Sequence, residues 1–261
     1  MSDPAPERGD YGRSETVNSQ VSAFPGMELA TDVSAALWLP SRLWPHHRGR
    51  VRVGECVPEG YPAYGRLLHP AASTDPGGPE RWRWADIAAK RNYHLGPELR
   101  FNDLVGWDVS VTADPPPPYH APDRGSLDET SCRALAEILP AFTTRPDLCW
   151  YCLWGGYGWP ELPAPGAGPP RVTLRRSIDC LLFKGPVGAA CNFRSRLWFQ
   201  SPTAWWPDDH AWCVTTDVDS FSTYIAGTRE CIGVLASDPR LEILPTQVDH
   251  EVDPSPYPPR Q

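Results

Sequence analysis

The chain has 261 residues, among them 32 Pro, 21 Gly, 12 Trp and 8 Cys, and a formal charge of −8. That length can bury a substantial core, and proline plus glycine stay below the roughly 25–30% that marks a disordered composition. The acidic balance argues against non-specific nucleic-acid binding, which needs a surplus of Lys and Arg facing phosphate, and no segment approaches the ~18 apolar residues of a membrane span.

In chain order, residues 1–26 are polar and Gly-punctuated and are expected to form a disordered tail without the apolar stretch of a secretory signal. The basic stretch from Arg42 to Arg52, with His46 and His47, reads as a solvated connection. Ala63–Leu68 has the β-branched and aromatic pattern of a strand. Trp84, Ile87, Ala88 and Arg91 sit at helical spacing, before a Gly96-Pro97 breaker. Asp114–Gly125 contains five prolines and cannot be a helix interior or a central strand. Ser126 and Glu129 have the spacing of a capping box, and Leu127, Ala134, Leu135, Ile138 and Leu139 extend a helix that Pro140 should stop. A strand is expected at Leu148–Trp154, followed by the Gly/Pro-rich segment Gly155–Pro170. Further strands are expected at Ser177–Phe183, Ala211–Val218 and Phe221–Ala226, the last two joined as a hairpin at Asp219-Ser220. Thr228 can N-cap a helix with Cys231, Ile232 and Leu235 inward, ended by Asp238-Pro239. A weaker strand lies near Leu241–Leu244, and residues 246–261 read as a Pro-rich tail.

Strands that follow one another without intervening helices favour an antiparallel sheet. The expectation is an α+β fold: a single domain over 27–245, mainly antiparallel sheet, with about three helices, long Pro/Gly-rich loops and disordered termini.

The chemistry concentrates in Trp205 to Asp219. Alternation from Trp212 places Trp212, Val214, Thr216 and Val218 on one face and Cys213, Thr215, Asp217 and Asp219 on the other. Asp217 and Asp219, with His210, could serve as acid and base, while the plainer reading is a solvent face of a hairpin. Trp205 and Trp206 point to opposite sides if the segment before Pro207 is extended, so one of them is a candidate exposed platform beside Asp208, Asp209 and Trp212. Cys149-Trp150-Tyr151-Cys152 resembles a metal or redox motif. In a strand its cysteines point to opposite faces, however, and no second ligand pair completes a zinc site, so a core strand covered on both sides is the better reading. His69 and His94 have no Ser or Cys nucleophile elbow to serve. No metal and no cofactor is expected, and without an export signal the cysteines read as reduced thiols in a cytoplasm.

Val53-Gly54-Glu55-Cys56-Val57-Pro58-Glu59-Gly60-Tyr61 with Ala63-Tyr64-Gly65-Arg66-Leu67-Leu68-His69-Pro70 resembles the opening of a family of uncharacterised actinobacterial proteins. Gln200-Ser201-Pro202, Trp205-Trp206-Pro207-Asp208, Ala211-Trp212-Cys213-Val214 to Asp217, and Asp238-Pro239-Arg240-Leu241-Glu242 resemble its second signature. The resemblance implies a single domain and a cytoplasmic setting, and it supplies no activity. Where that family carries Arg before Ala211, this chain has His210, which would make any ion pair to Asp217 or Asp219 weaker or pH-dependent.

Three functions follow as expectations. The first is a non-catalytic binding or accessory protein acting on a protein partner. The second is a small-ligand or carbohydrate binder using Trp205 or Trp206. The third is a hydrolase-like enzyme using Asp217 and Asp219 with a histidine.

Overall fold

The longest runs of β-branched and aromatic residues gather in one sheet. The computed structural model describes residues 24–45, 51–78, 81–159, 162–163, 168–175, 178–195 and 198–252. The strands are β1 (Glu28–Leu29), β2 (Ala63–Leu68), β3 (Ala72–Ser73), β4 (Tyr119–His120), β5 (Cys149–Trp154), β6 (Val172–Thr173), β7 (Asp179–Gly185), β8 (Ala204–Pro207), β9 (Cys213–Thr216), β10 (Ser222–Gly227) and β11 (Ile243–Thr246). The α-helices are α1 (Trp38–Arg42), α2 (Trp84–Arg91), α3 (Phe101–Val105), α4 (Glu129–Ile138) and α5 (Arg229–Ser237), with short 3-10 helices between them.

Nine strands form a sheet in the order β1-β7-β5-β8-β9-β10-β2-β11, with β6 also on β7, and β3 and β4 form a separate pair. Every pairing is antiparallel. The β9–β10 hairpin pairs Thr216 with Thr223, as expected from the turn at Asp219-Ser220. Mixed helix and mainly antiparallel sheet is therefore the architecture.

Both faces of the sheet are covered. Cys149, Tyr151 and Leu153 of β5 join one core with α4, α5 and the 3-10 helix Val187–Asn192. Cys152, flanked by Trp150 and Trp154, joins a second core under α1 and the turn Val53–Glu55. The C-x-x-C cysteines lie on opposite faces, as the period of a strand requires. A third cluster, with Trp82, Trp84, Phe101 and Phe221, packs α2 and α3 beyond the ends of β2 and β10.

Two buried charges fasten that third cluster. Arg66 is fully buried; its Nε donates to Ser222 Oγ, and its Nη1 donates to Pro97 O and Leu99 O at 2.7 and 2.9 Å. Glu242 accepts from Trp84 N and Ala85 N at 2.8 and 2.7 Å, satisfying two first-turn donors of α2 from a different element.

Several boundaries differ from the expectations. Phe24 is buried against Trp159, Phe183 and Phe193, so the expected N-terminal tail gives way to core before residue 26; residues 1–23 lie outside the described ones. At the other end, Thr246 closes β11, Val53 N donates to His250 O, and Val252 N donates to Val51 O. The folded body thus runs to residue 252, and only 253–261 of the expected tail lies outside the described residues. Helix α4 starts later than the Ser126–Glu129 box implied. Its N-cap is Asp128, which accepts from Ser131 N, while Ser126 Oγ accepts from Ser201 N instead. Pro140 stops α4 as expected, the helix ending at Ile138, and the chain continues as a 3-10 turn over Leu139–Phe142. Helices α1 and α3, each 5 residues long, and strand β8 were not foreseen. Of the expected basic stretch, residues 46–50 lie outside the described ones. Among the described residues no helix is long and apolar enough to cross a membrane.

Candidate functional site

The tryptophans expected to form a surface site are built into the core. Trp205 and Trp206 are both 0% exposed. They do point to opposite faces of β8, but each face is covered: Trp205 packs edge-on to Trp212, and Trp206 edge-on to Trp38. A buried indole cannot stack on a ligand, which removes the platform expected of this pair. Trp212 is equally buried and donates its Nε1–H to Leu139 O.

The neighbouring acids are also taken. Asp208 accepts from Trp150 Nε1 at 3.0 Å. Asp209 accepts from Thr143 Oγ1, Thr144 N, Thr144 Oγ1 and Ala211 N, binding two loops together. Partial burial pushes the Asp209 carboxyl up, but the Thr144, Thr143 and Ala211 hydrogen bonds outweigh it and hold it below the usual range. His210 takes a left-handed φ of 53° and lies flat on Trp38 with ring centroids 4.1 Å apart. Desolvation lowers its pKa against the pull of Asp208 and Asp209.

Nor do Asp217 and Asp219 converge as acid and base. Asp217 forms an ion pair with Arg175 in which both side chains are 8% exposed. Its Oδ1 also accepts from Asp219 N, so Asp217 shapes the hairpin turn and Asp219 is left exposed. The space beside the ion pair, lined also by Glu55 and Thr215, has a volume of about 30 Å³, on the scale of a water molecule. The partner of Asp217 is thus Arg175 and not His210.

Of the remaining histidines, His94 is exposed and His69 is wholly buried. His69 Nδ1 lies 2.7 Å from Asp123 O, which can only accept, so Nδ1 carries the proton. Nε2 then accepts from Thr223 Oγ1 at 2.9 Å, and Thr223 in turn accepts from Thr216 Oγ1 at 2.7 Å. This directed chain ties the Pro-rich loop to β10 and β9. Burial holds the imidazole neutral, with its pKa down at about 4.

The loop that His69 anchors forms one wall of a groove. Gly125 follows, at φ +72°, where a Cβ would meet Tyr157 Oη at 2.1 Å and Val218 O at 2.5 Å, so glycine alone fits. Tyr157 Oη donates to Arg124 O, and Leu127 N donates to Ser201 Oγ while Ser201 N donates to Ser126 Oγ. These bonds fix Asp123–Glu129 opposite Trp198–Gln200, with Tyr157 completing a groove of about 490 Å³. That lies within the ~300–1,000 Å³ of ligand sites.

The acids of the groove differ in what they have to spare. Asp128 is paired with Arg81, and Glu129 with Arg133 and Arg194. Asp123 has no side-chain hydrogen bond or ion pair among the described residues, and desolvation, followed by the Asp128 charge, raises its carboxyl above the usual range. The half-buried rings of Tyr157, Trp198 and Phe199 line the same groove. The sequence does not reveal this groove because its residues come from three separate segments, Asp123–Glu129, Tyr157 and Trp198–Gln200, that share no spacing pattern.

Among the described residues no group of three or more His, Cys, Asp or Glu is placed to hold a metal ion. Compared with known protein families the chain matches none, and comparisons with curated proteins and with solved structures likewise find no match.

Proposed function

We propose that the protein is a non-catalytic binding protein that engages a protein partner through the groove between Asp123–Glu129 and Trp198–Gln200, taking a lysine or arginine side chain of that partner. The observation that carries this reading is Asp123, an exposed carboxylate whose pKa desolvation raises, with no side-chain partner among the described residues, in a groove also lined by three aromatic rings. A cation entering there gains from the carboxylate and from the faces of the rings, and restores the charge balance that desolvation disturbed. The chain's formal charge of −8 would speed encounter with a basic partner. The same reading includes a cytoplasmic setting, no role in nucleic-acid binding, and kinship with the actinobacterial proteins that the two signatures resemble. A small polar ligand is the second reading. It is favoured by the half-buried Trp198 indole beside the groove, a role once expected of Trp205 or Trp206.

A peptide array varying one position through Arg, Lys, Gln, Glu and Leu tests the first reading. Binding should concentrate on the Arg and Lys peptides and weaken about tenfold in Asp123→Asn, the effect of losing roughly 1.4 kcal/mol. Retention that ignores peptide charge, or an unchanged Asp123→Asn variant, would contradict it.

A further inference from the structure

All eight cysteines are free thiols, and seven are buried. The exception is Cys191, half-exposed near the end of the 3-10 helix Val187–Asn192. Its Sγ lies 3.6 Å from Sγ of Cys132, which is 0% exposed on α4. Cys132 Sγ also lies 3.8 Å from Ala190 O, so the two sulfurs meet between α4 and the 3-10 helix. Closing 3.6 Å to the ~2.05 Å of a disulfide needs a movement of about 1.5 Å, less than a side-chain rotation supplies.

The rest of the molecule offers no comparable pair. Cys152 and Cys180 lie near each other on adjacent strands, but both are 0% exposed inside the second core. Cys149 and Cys213 are equally sealed. Only Cys132 and Cys191 combine contact with a route for a reagent from solvent.

We propose that Cys132 and Cys191 form a redox-active dithiol whose oxidant is a hydroperoxide. Cys191 reacts first, because it is the accessible sulfur. Its thiolate attacks the distal peroxide oxygen, the O–O bond breaks, and Cys191 becomes a sulfenic acid as hydroxide or alkoxide leaves and is protonated. Cys132 then attacks the Cys191 sulfur, forming the S–S bond and expelling the sulfenic oxygen as water. With hydrogen peroxide the balance is two thiols and one peroxide giving one disulfide and two waters. Two features suit Cys191 to the first step. The Cys132 S–H can donate to its thiolate, and that contact together with the Arg133 charge lowers its pKa despite partial burial. The Cys132 thiol is pushed well up by the same contact and by burial, and so serves as the resolving partner. The inference is independent of what the groove binds.

The test treats the full chain with a small excess of hydrogen peroxide, counts thiols after denaturation, and maps peptides without reductant. Thiols should fall from eight to six, with one intramolecular Cys132–Cys191 link that dithiothreitol reverses. Cys191→Ser should abolish the loss, Cys152→Ser should leave it intact, and Cys132→Ser should leave Cys191 open to a sulfenic-acid probe. Because Cys132 is buried and its variant could misfold, the half-exposed Cys191→Ser variant carries the decision. Eight thiols surviving with no sulfenic label, or a link mapping to another pair, would overturn the proposal.

Discussion

His69 illustrates how a residue's neighbours decide what it can do. A histidine at the end of a strand reads from sequence as a possible base, yet both of its nitrogens are engaged, one by a carbonyl and one by Thr223. The consequence is for stability. The unfolded chain's imidazole takes up a proton below about pH 6.5, whereas the native one resists until about 4. The stabilisation is fully present above 6.5 and is lost as pH falls toward 4, because the unfolded state then binds the extra proton. Urea unfolding at pH 7 and 4.5 should show His69→Gln losing roughly 2–3 kcal/mol less on acidification than wild type. Equal losses in the two proteins would mean that His69 is not held neutral. Asp217 and Asp209 make the same point for carboxylates. Their residue type suggested chemistry, but whether a carboxylate is spare depends on partners such as Arg175 and Thr144, distant in the chain.

At the scale of elements, local pattern was a good guide wherever one segment carries its own signal. Ala63–Leu68 matches β2 residue for residue, and Thr228 caps α5 by accepting from Cys231 N. Where a local signal failed, a tertiary contact explains it. Ser126 has the spacing of an N-cap, but its Oγ accepts from Ser201 N, and Asp128 caps α4. Asp128→Ala should therefore cost about 1 kcal/mol as a lost cap, somewhat more through the released Arg81, and thermal unfolding would read it. A neutral Asp128→Ala variant would return the cap to Ser126. Strand β8 was missed for a related reason. The apolar character of β5 on both faces already implied a sheet covered on both sides. That implication extends to its neighbour β8, whose Trp206 pairs with Trp150 and whose Trp205 pairs with Tyr151. Alternation along Trp205-Trp206 was legible, but which of its sides met solvent was not, since that depends on α1 and α4 arriving from elsewhere.

Over the whole molecule, the tryptophans and prolines divide the work differently from their density in the chain. The Trp205–Trp212 stretch holds three fully buried indoles and builds the two cores. The Pro-rich loop, which can be neither helix interior nor central strand, is pinned by His69, Gly125 and Ser126, and supplies Asp123 to the groove. The proposed recognition occurs there and not at the Trp205–Asp209 stretch. Indole N–H resonances of the twelve tryptophans, assigned by single Trp→Phe variants, report on it directly during titration with an arginine-bearing peptide. The Trp198 resonance should move and saturate while those of Trp205, Trp206 and Trp212 stay in place. A still Trp198 with movement at Trp206 and its neighbour Trp38 would contradict it.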